Sequence, residues 1–496
     1  MYILMVIVFV VGYLAIALEH PIKIDKAASA LLTGVLCWTV LVFGAGDILN
    51  IDMGYSIPQL IEQGKVLLQS TDKHWHELGH YISGGVYEYR GEFIDGKYTG
   101  EEKTPYIIGH FINHELLHHL SEIASILFFL LGAMTIVELI DAHEGFAVVT
   151  DKITTTSRVK LLWIICLITF FFSAALDNLT TAIVMAALLK KLLKGREDIM
   201  LFGGMVVIAA NAGGAWSPIG DVTTIMLWIK GQITAPVVIG TLIIPSMVCA
   251  LVPLIYLSFT LKGNVKSKLG MVESEHLTNP TTPGERNTVF FTGLACLLFV
   301  PIFKTITHLE PFMGILFGLG VLWTLTEIMH RSKNHEEKSE KSVLGALKKV
   351  DTASVFFFMG ILTAVAALQT AGHLVEMAAF LQTSIGDIYV INLAIGLLSS
   401  IVDNVPLVAG AIGMYEIAPV GSTGEAAFFM VDGAFWKFLA YCAGTGGSCL
   451  IIGSAAGVAI MGILKIDFIW YLKKISGLAF AGYIAGAATY YVMFAL

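Results

Sequence analysis

Apolar residues run along this chain in blocks of about 20, the length that crosses a bilayer, and the interruptions set its plan. Unbroken runs predict membrane-spanning helices near 1–18, 27–46, 121–140 and 237–261, then near 288–303, 311–328, 353–370 and 467–493. Other runs are cut by charged, amide and glycine residues. Leu161–Leu176 is followed by Asp177-Asn178 and then by Leu179–Leu189. As one straight helix, 161–189 would be roughly 43 Å long, against a hydrocarbon core of roughly 30 Å. It is therefore predicted to be a re-entrant hairpin with Asp177 and Asn178 at its tip. The run 199–230 is predicted to break near Asn211–Gly214.

Both interrupted elements recur. SSIVDNVPLVAGAI (399–412) repeats SAALDNLTTAIVM (173–185) at an offset of 226, pairing Ser173 with Ser399, Asp177 with Asp403 and Asn178 with Asn404. GTGGSCLIIGSAAG (444–457) repeats NAGGAWSPIGDVTTIMLW (211–228) at 233, pairing Gly213, Gly214 and Gly220 with Gly446, Gly447 and Gly453. The second hairpin is then 388–415 and the second broken span 435–464. A weaker echo, EIASILFFLLG (122–132) against DTASVFFFMG (351–360), pairs Glu122 with Asp351. Two interrupted apolar elements, each present twice, are the sequence pointer to the binding site of a secondary transporter.

Charge orients the repeats. Arg158 and Lys160 precede the first hairpin, and Lys190, Lys191, Lys194 and Arg196 follow it. Positive flanks mark the cytoplasmic side. The second hairpin has Asp387 before it and Glu416, Glu425 and Asp432 after it, so it enters from outside. Five spans per half also predict inversion, since an odd number starts the second half on the opposite side. The expected fold is an all-α polytopic membrane protein of two inverted-topology repeats, each with five spans, a re-entrant hairpin and a broken helix. The first repeat covers 1–261 and carries an extracytoplasmic insertion at 50–120. A cytoplasmic linker covers 262–287, with Lys262, Lys266, Lys268 and Arg286, and the second repeat covers 288–496. The predicted location is the cytoplasmic (inner) membrane, with both termini extracytoplasmic. The apolar run Met1–Leu18 lacks a positive leader and a small-residue cleavage site, and is taken as a span rather than a signal peptide.

Composition agrees. Of 496 residues, 56% are hydrophobic and 14% charged, against roughly 25% charged in a soluble domain. The net charge of −8 comes with no basic patch suited to nucleic acid. The six cysteines lie in or beside apolar runs, form no CxxC pair, and are taken as small buried residues without a disulfide framework. No cofactor is expected.

A carboxylate at membrane depth is costly and survives where it lines a polar cavity or binds something. Asp177, Asp221 and Asp403 have no Lys or Arg nearby in the same apolar runs. Carboxylate, amide and hydroxyl oxygens are hard ligands suited to Na⁺ or Li⁺. A carboxylate also takes a proton, the minimum chemistry for exchanging one for the other. Gly213, Gly214, Gly446 and Gly447 are read as helix breaks that expose carbonyls to an ion.

The chain resembles the NhaD-type sodium/proton antiporters of the ion transporter superfamily. The resemblance runs almost its whole length, from ALEHPIKIDKAASALLTGVLCW (17–38) through FFLLGAMTIVELID (128–141) and the four polar segments. It implies alternating access by an elevator-like movement, usually in a homodimer. The functional set it implies is Asp177, Asn178 and Thr180; Asn211, Asp221, Thr223 and Thr224; Ser399, Asp403 and Asn404; and Ser448 and Ser454. Glu122, Glu138 and Asp351 are candidates for tuning ion entry or proton release. Anion-carrying relatives have neutral Ser-Asn-Thr tips; Asp177 and Asp403 stand here instead, which disfavours the rival reading of a sodium-coupled anion carrier. The repeats are not equivalent, since Ser454 replaces Asp221 and Gly444 replaces Asn211.

The insertion at 50–120 carries His74, His76, His80, His110, His114, His118 and His119. HELGH (76–80) and HELLH (114–118) both fit H-E-x-x-H, which raises a second rival, a membrane zinc metalloprotease with His76, His80, His114 and His118 as ligands. Neither motif has a third ligand at a family spacing, and proteolysis leaves the duplicated hairpins unexplained. The histidines are taken as surface residues, with adventitious metal binding or pH sensing as the other readings.

Overall fold

The computed structural model describes residues 1–17, 19–48, 68–72, 75–82, 85–89, 93–94, 97–98, 104–265, 281–331, 341–401 and 403–495. Lys266 and Lys268, with most of the linker, and His74 lie outside the described residues. Among the described residues, nine helices are long and apolar enough to cross a membrane, or up to eleven if two bent pairs each count as one. The protein is thus a helical, multi-pass membrane protein. Outside its helices, short antiparallel strands occur at β1 (Leu68–Asp72), β2 (Trp75–Ile82), β3 (Gly85–Tyr89), β4 (Phe93–Ile94) and β5 (Lys97–Tyr98), in the orders β1-β2-β3 and β4-β5. The strands lie within the predicted insertion.

The chain forms two compact units. One comprises Met1–Ala124, Ala353–Thr383 and Ala409–Tyr415, the other Ser125–Thr352, Ser384–Val408 and Glu416–Leu496. Each therefore draws on both halves of the sequence. In the first unit, α1 (Tyr2–Ala17) packs on α2 (Lys26–Phe43), whose N-cap Asp25 accepts a hydrogen bond from the Ala27 N–H. Much of α3 (Thr104–Ala142) also belongs to this unit. Gly34 lets α2 approach the Gly360 carbonyl, where an added Cβ would lie 2.7 Å from the oxygen, and the Trp38 Nε1 donates to the Thr363 carbonyl at 2.9 Å.

The second unit holds the interrupted elements. The first hairpin is α4 (Arg158–Leu176) and α5 (Asn178–Leu192), joined at Asp177 alone; the first broken span is α6 (Arg196–Ala215) and α7 (Val222–Ile229). Both hairpin arms pack against α6. An ion pair of 2.7 Å from the Arg158 guanidinium to Asp198 ties the start of α4 to the first turn of α6. α8 (Ala235–Thr260), α9 (Pro283–Thr307) and α10 (Pro311–Met329) follow as full-length helices of this unit, whereas α11 (Thr352–Thr370), also full-length, belongs to the first unit in all but its first residue. α12 (His373–Ser384) comes next, a helix absent from the span assignment by apolar runs.

The second hairpin is α13 (Ile388–Leu398) and α14 (Asn404–Met414), and the second broken span α15 (Ala434–Gly446) and α16 (Ala455–Leu464). The predicted last span, 467–493, is two elements. α17 (Phe468–Lys474) turns 115° from α16, and α18 (Ser476–Phe494) is the spanning helix. The turn is built by Lys465 at φ 54° and by Asp467, which caps α17 by accepting from the Trp470 N–H at 2.9 Å.

The duplication persists in three dimensions. The Ser173 hydroxyl donates to the Ala210 carbonyl, and its repeat mate Ser399 donates to the Ala443 carbonyl. A Cβ on Gly213 would lie 2.2 Å from the Phe170 oxygen, and one on Gly446 2.0 Å from the Gly396 oxygen.

These contacts add a packing role to the glycines expected at the helix breaks. Gly213 and Gly214 lie inside the last turn of α6, Gly446 ends α15, and Gly447 is its C-cap in right-handed helical geometry. The chain leaves the helix after them, over 216–221 and 448–454. Gly213 and Gly446 are needed because hairpin and broken helix meet backbone to backbone there, while Gly214 and Gly447 leave room for the Gly220 and Gly453 carbonyls of their own breaks.

Candidate functional site

Asp177 occupies a conformation that non-glycine residues rarely adopt, φ 81° and ψ 162°, at a strain of about 1–3 kcal/mol. A glycine would sit there without strain, so the carboxylate is what the position retains. It caps α5, accepting from the Thr180 N–H at 2.7 Å and the Thr180 hydroxyl at 3.0 Å. Asp177 is also buried at the tip.

Asp221 is the centre of the arrangement. It caps α7 through Oδ1, which accepts from the Thr223 N–H at 2.8 Å and the Thr223 hydroxyl at 2.7 Å. The Asn178 amide, from the first hairpin tip, donates to its Oδ2. The Asn404 amide, from the second tip, reaches both oxygens at 3.3 and 3.4 Å. One buried carboxylate is thereby held from both repeats. The Asn178 amide also donates to Asn211 Oδ1 at 3.1 Å, and the Asn211 amide donates to the Ser448 hydroxyl at 3.0 Å and the Ser454 hydroxyl at 2.9 Å. Ser454 in turn caps α16, accepting from the Gly457 N–H at 3.1 Å.

Seven of the predicted residues therefore form one hydrogen-bonded network: Asp221, Asn178, Asn211, Asn404, Thr223, Ser448 and Ser454. Asp177 and Asp403 lie within electrostatic reach of Asp221, and the Val405 N–H approaches Asp403 at 3.4 Å. Thr224 and Ser399 serve the backbone instead, donating to the Asp221 and Ala443 carbonyls.

Two further residues escape a reading of the motifs. The Ser217 hydroxyl donates to the Ala174 carbonyl at 2.5 Å, tying the first break to the first hairpin, and the Tyr471 hydroxyl donates to the Ser448 carbonyl at 2.8 Å. Ser217 was visible as a polar residue inside the break. Nothing local marks Tyr471, which lies 23 residues from Ser448.

The tuning candidates sit in other surroundings. Glu122 pairs with His118 at 3.8 Å and His119 at 3.4 Å. Glu138 interacts with Asp141 and Lys349, and Asp351 is exposed just ahead of α11.

The two H-E-x-x-H segments differ in backbone structure. HELGH runs along strand β2, which spaces His76 and His80 by about 13 Å at 3.3 Å per residue; a helix would bring them to neighbouring turns. HELLH is helical, within α3, but the side chains of His76, His80 and His114 lie outside the described residues. Among the described residues, no group of three His, Cys, Asp or Glu is placed to hold a metal ion.

Residues 3–433 match the citrate transporter family, CitMHS. The chain belongs to that family. Within it, the chain belongs with the NhaD-type sodium/proton antiporters. It is 49% identical to sodium/proton antiporter 1 of Arabidopsis thaliana, over 76% of this chain and 63% of that relative's length. To sodium/proton antiporter 2 of the same plant it is 46% identical, over 76% of this chain and 87% of the relative. To the Na⁺/H⁺ antiporter NhaD of Vibrio cholerae it is 30% identical, over 72% of this chain and 76% of the relative. The fold resembles the YdaH transporter of Alcanivorax borkumensis, with a TM-score of 0.53 at 10% identity, covering 94% of this chain and 98% of that one. These relatives are transporters, not enzymes. The family member described here thus has its buried carboxylate network on a transporter fold.

Proposed function

We propose that the chain exchanges Na⁺ or Li⁺ for H⁺ across the membrane by alternating access, with Asp177, Asp221 and Asp403 as the carboxylates that hold either ion. The observation that carries this is the setting of Asp221. It is 1% exposed, and its hydrogen-bond donors are the amides of Asn178 and Asn404 and the N–H and hydroxyl of Thr223. A buried carboxylate held by neutral donors keeps its negative charge available to a cation or a proton. The sodium/proton antiporter names of the relatives support the same reading. The family description names citrate, but three carboxylates around one site would repel a polyanion. Asn178, Thr180, Asn211, Thr223, Thr224, Ser399, Asn404, Ser448 and Ser454 orient the carboxylates and the backbone that carries them.

The test is proton movement in liposomes containing the protein. Adding Na⁺ should drive H⁺ across the membrane, and apparent Na⁺ affinity should weaken as pH falls, by about tenfold per unit if one proton is displaced. Citrate uptake with no Na⁺-driven proton movement would overturn the proposal in favour of an anion carrier.

The topology belongs to the same proposal. The repeats 1–261 and 288–496, joined by 262–287, are inverted, with the first hairpin entering from the cytoplasm and the second from outside. The protein works as a homodimer in the inner membrane with both termini extracytoplasmic. Single cysteines at Lys194 and Thr423, in a background free of the six native cysteines, should then react with impermeant thiol reagents from opposite sides. Reaction from the same side would refute the inversion.

A further inference from the structure

We propose that an apolar cavity beside the two polar segments of the first repeat binds one acyl chain of a bilayer phospholipid, which bears on the backbone leading into Asp177 and Asp221. The cavity holds about 500 Å³ and is walled by Phe172 and Leu176 of α4, Trp216 and Ile219 of the break, and Leu294 and Leu298 of α9. Its one hydroxyl-bearing wall residue is Ser217, whose hydroxyl donates to the Ala174 carbonyl. A buried water needs two to four polar partners; these walls offer at most the Ser217 hydroxyl and the indole N–H of Trp216, so water does not fill the space, and apolar cavities of about 150 Å³ stay dry and take benzene. A void roughly three times that size forfeits dispersion contacts all along its wall unless something apolar fills it.

The mouth identifies the occupant. Phe171 is 50% exposed, Leu298 50% and Ile302 53%, and all three line the cavity. They stand on α4 and α9, helices of membrane-spanning length. In a bilayer such side chains are bathed in acyl chains, so a flexible hydrocarbon is what the opening meets. The placement gives the occupant its consequence. Ala174–Leu176 runs directly into Asp177, and Trp216–Ile219 runs through Gly220 into Asp221. The Ser217–Ala174 hydrogen bond joins these two walls. An acyl chain seated here supports both walls at once, and its departure lets them close on each other.

Occupancy is read independently of which ion is carried. The full-length protein is placed in liposomes containing phosphatidylcholine with a diazirine on one acyl chain, irradiated, and mapped by mass spectrometry. Label is expected on Leu176, Trp216, Ile219 and Leu294, in addition to Phe259 and Phe291, which are 80% and 59% exposed. Leu294→Trp fills the cavity and should cut the inner label about fivefold or more, leaving Phe259 and Phe291 unchanged. Leu298→Phe narrows the mouth and should act in the same direction, which keeps the test open if the first variant does not fold. Label confined to Phe259 and Phe291 in the wild-type protein would overturn the proposal, as would inner label unaffected by both variants. A disulfide between two copies through Leu298→Cys would also overturn it, by giving the mouth to a second chain.

Discussion

Asp221→Asn is expected to lower Na⁺-driven proton movement by about 100-fold or more while the protein still folds. The substitution removes the charge that attracts the cation and turns one acceptor into an amide donor, where Asn178 and Asn404 already present donors. Breaking a buried charge interaction costs about 3–5 kcal/mol, which is about two to three and a half orders of magnitude in affinity. Asp177→Asn should have a similar effect for a simpler reason. Its remaining Oδ1 still accepts from the Thr180 N–H, so the backbone cap of α5 survives; the titrating charge is lost, and the Thr180 hydroxyl turns from donor to acceptor of the new amide. Asp403→Asn is expected to follow. Exchange rates in liposomes, set beside size-exclusion profiles of each variant, separate lost chemistry from lost fold. Wild-type exchange by Asp177→Asn would remove that residue from the set of exchanging carboxylates.

The second large effect is on stability. Gly446→Ala and Gly213→Ala each drive a methyl group into a carbonyl oxygen, at 2.0 Å from Gly396 and 2.2 Å from Phe170. Neither neighbour is a side-chain end that could swing away; both are the backbone of a hairpin arm. Overpacking costs about 1–3 kcal/mol and more where nothing gives, so unfolding temperature should fall by several degrees. Gly462→Ala is the control. Nothing lies within 4 Å of its added methyl, and alanine in a helix is favoured over glycine by about 1 kcal/mol, so this variant should match or exceed the wild type. An unchanged unfolding temperature for Gly446→Ala would show that hairpin and broken helix part without penalty.

The mechanism follows from the same geometry. Each hairpin tip contributes one asparagine to Asp221, and the second broken span contributes Ser448 and Ser454 through Asn211. On the proposed function, a proton or cation at Asp221 would therefore be registered by both repeats. The lost symmetry has a use as well. Ser454 caps α16 as Asp221 caps α7, but with a hydroxyl in place of a carboxylate. The two caps thus do the same structural work, and only one brings charge to the network.

Much of this was legible in the order of residues. The hairpins and broken spans announced themselves because hydrocarbon penalises polar groups locally, so Asp177-Asn178 or Asp403-Asn404 inside an apolar run has few structural explanations. The duplication was legible because equivalent elements face the same constraints: Ser173 and Ser399 recur since each must bond the carbonyl of the broken helix beside it. The helix ends were less so. Glycine serves unwinding and close packing equally well, and only the position of the Phe170 and Gly396 carbonyls shows that Gly213 and Gly446 serve packing. α12 is not legible because nothing in its own residues separates a short apolar helix from the connection into the second hairpin.

By itself, then, the sequence determined a helical membrane transporter with duplicated polar interruptions and the set of residues worth testing, because membrane insertion and helix breaking are decided over stretches of about 20 residues. The tertiary structure decided which of those residues meet. Asn178, Asp221 and Asn404 are 43 and 183 positions apart along the chain, and their convergence on one carboxylate depends on how two hairpins and two broken helices pack. That packing is a property of opposed surfaces, to which every element contributes and which no single stretch encodes.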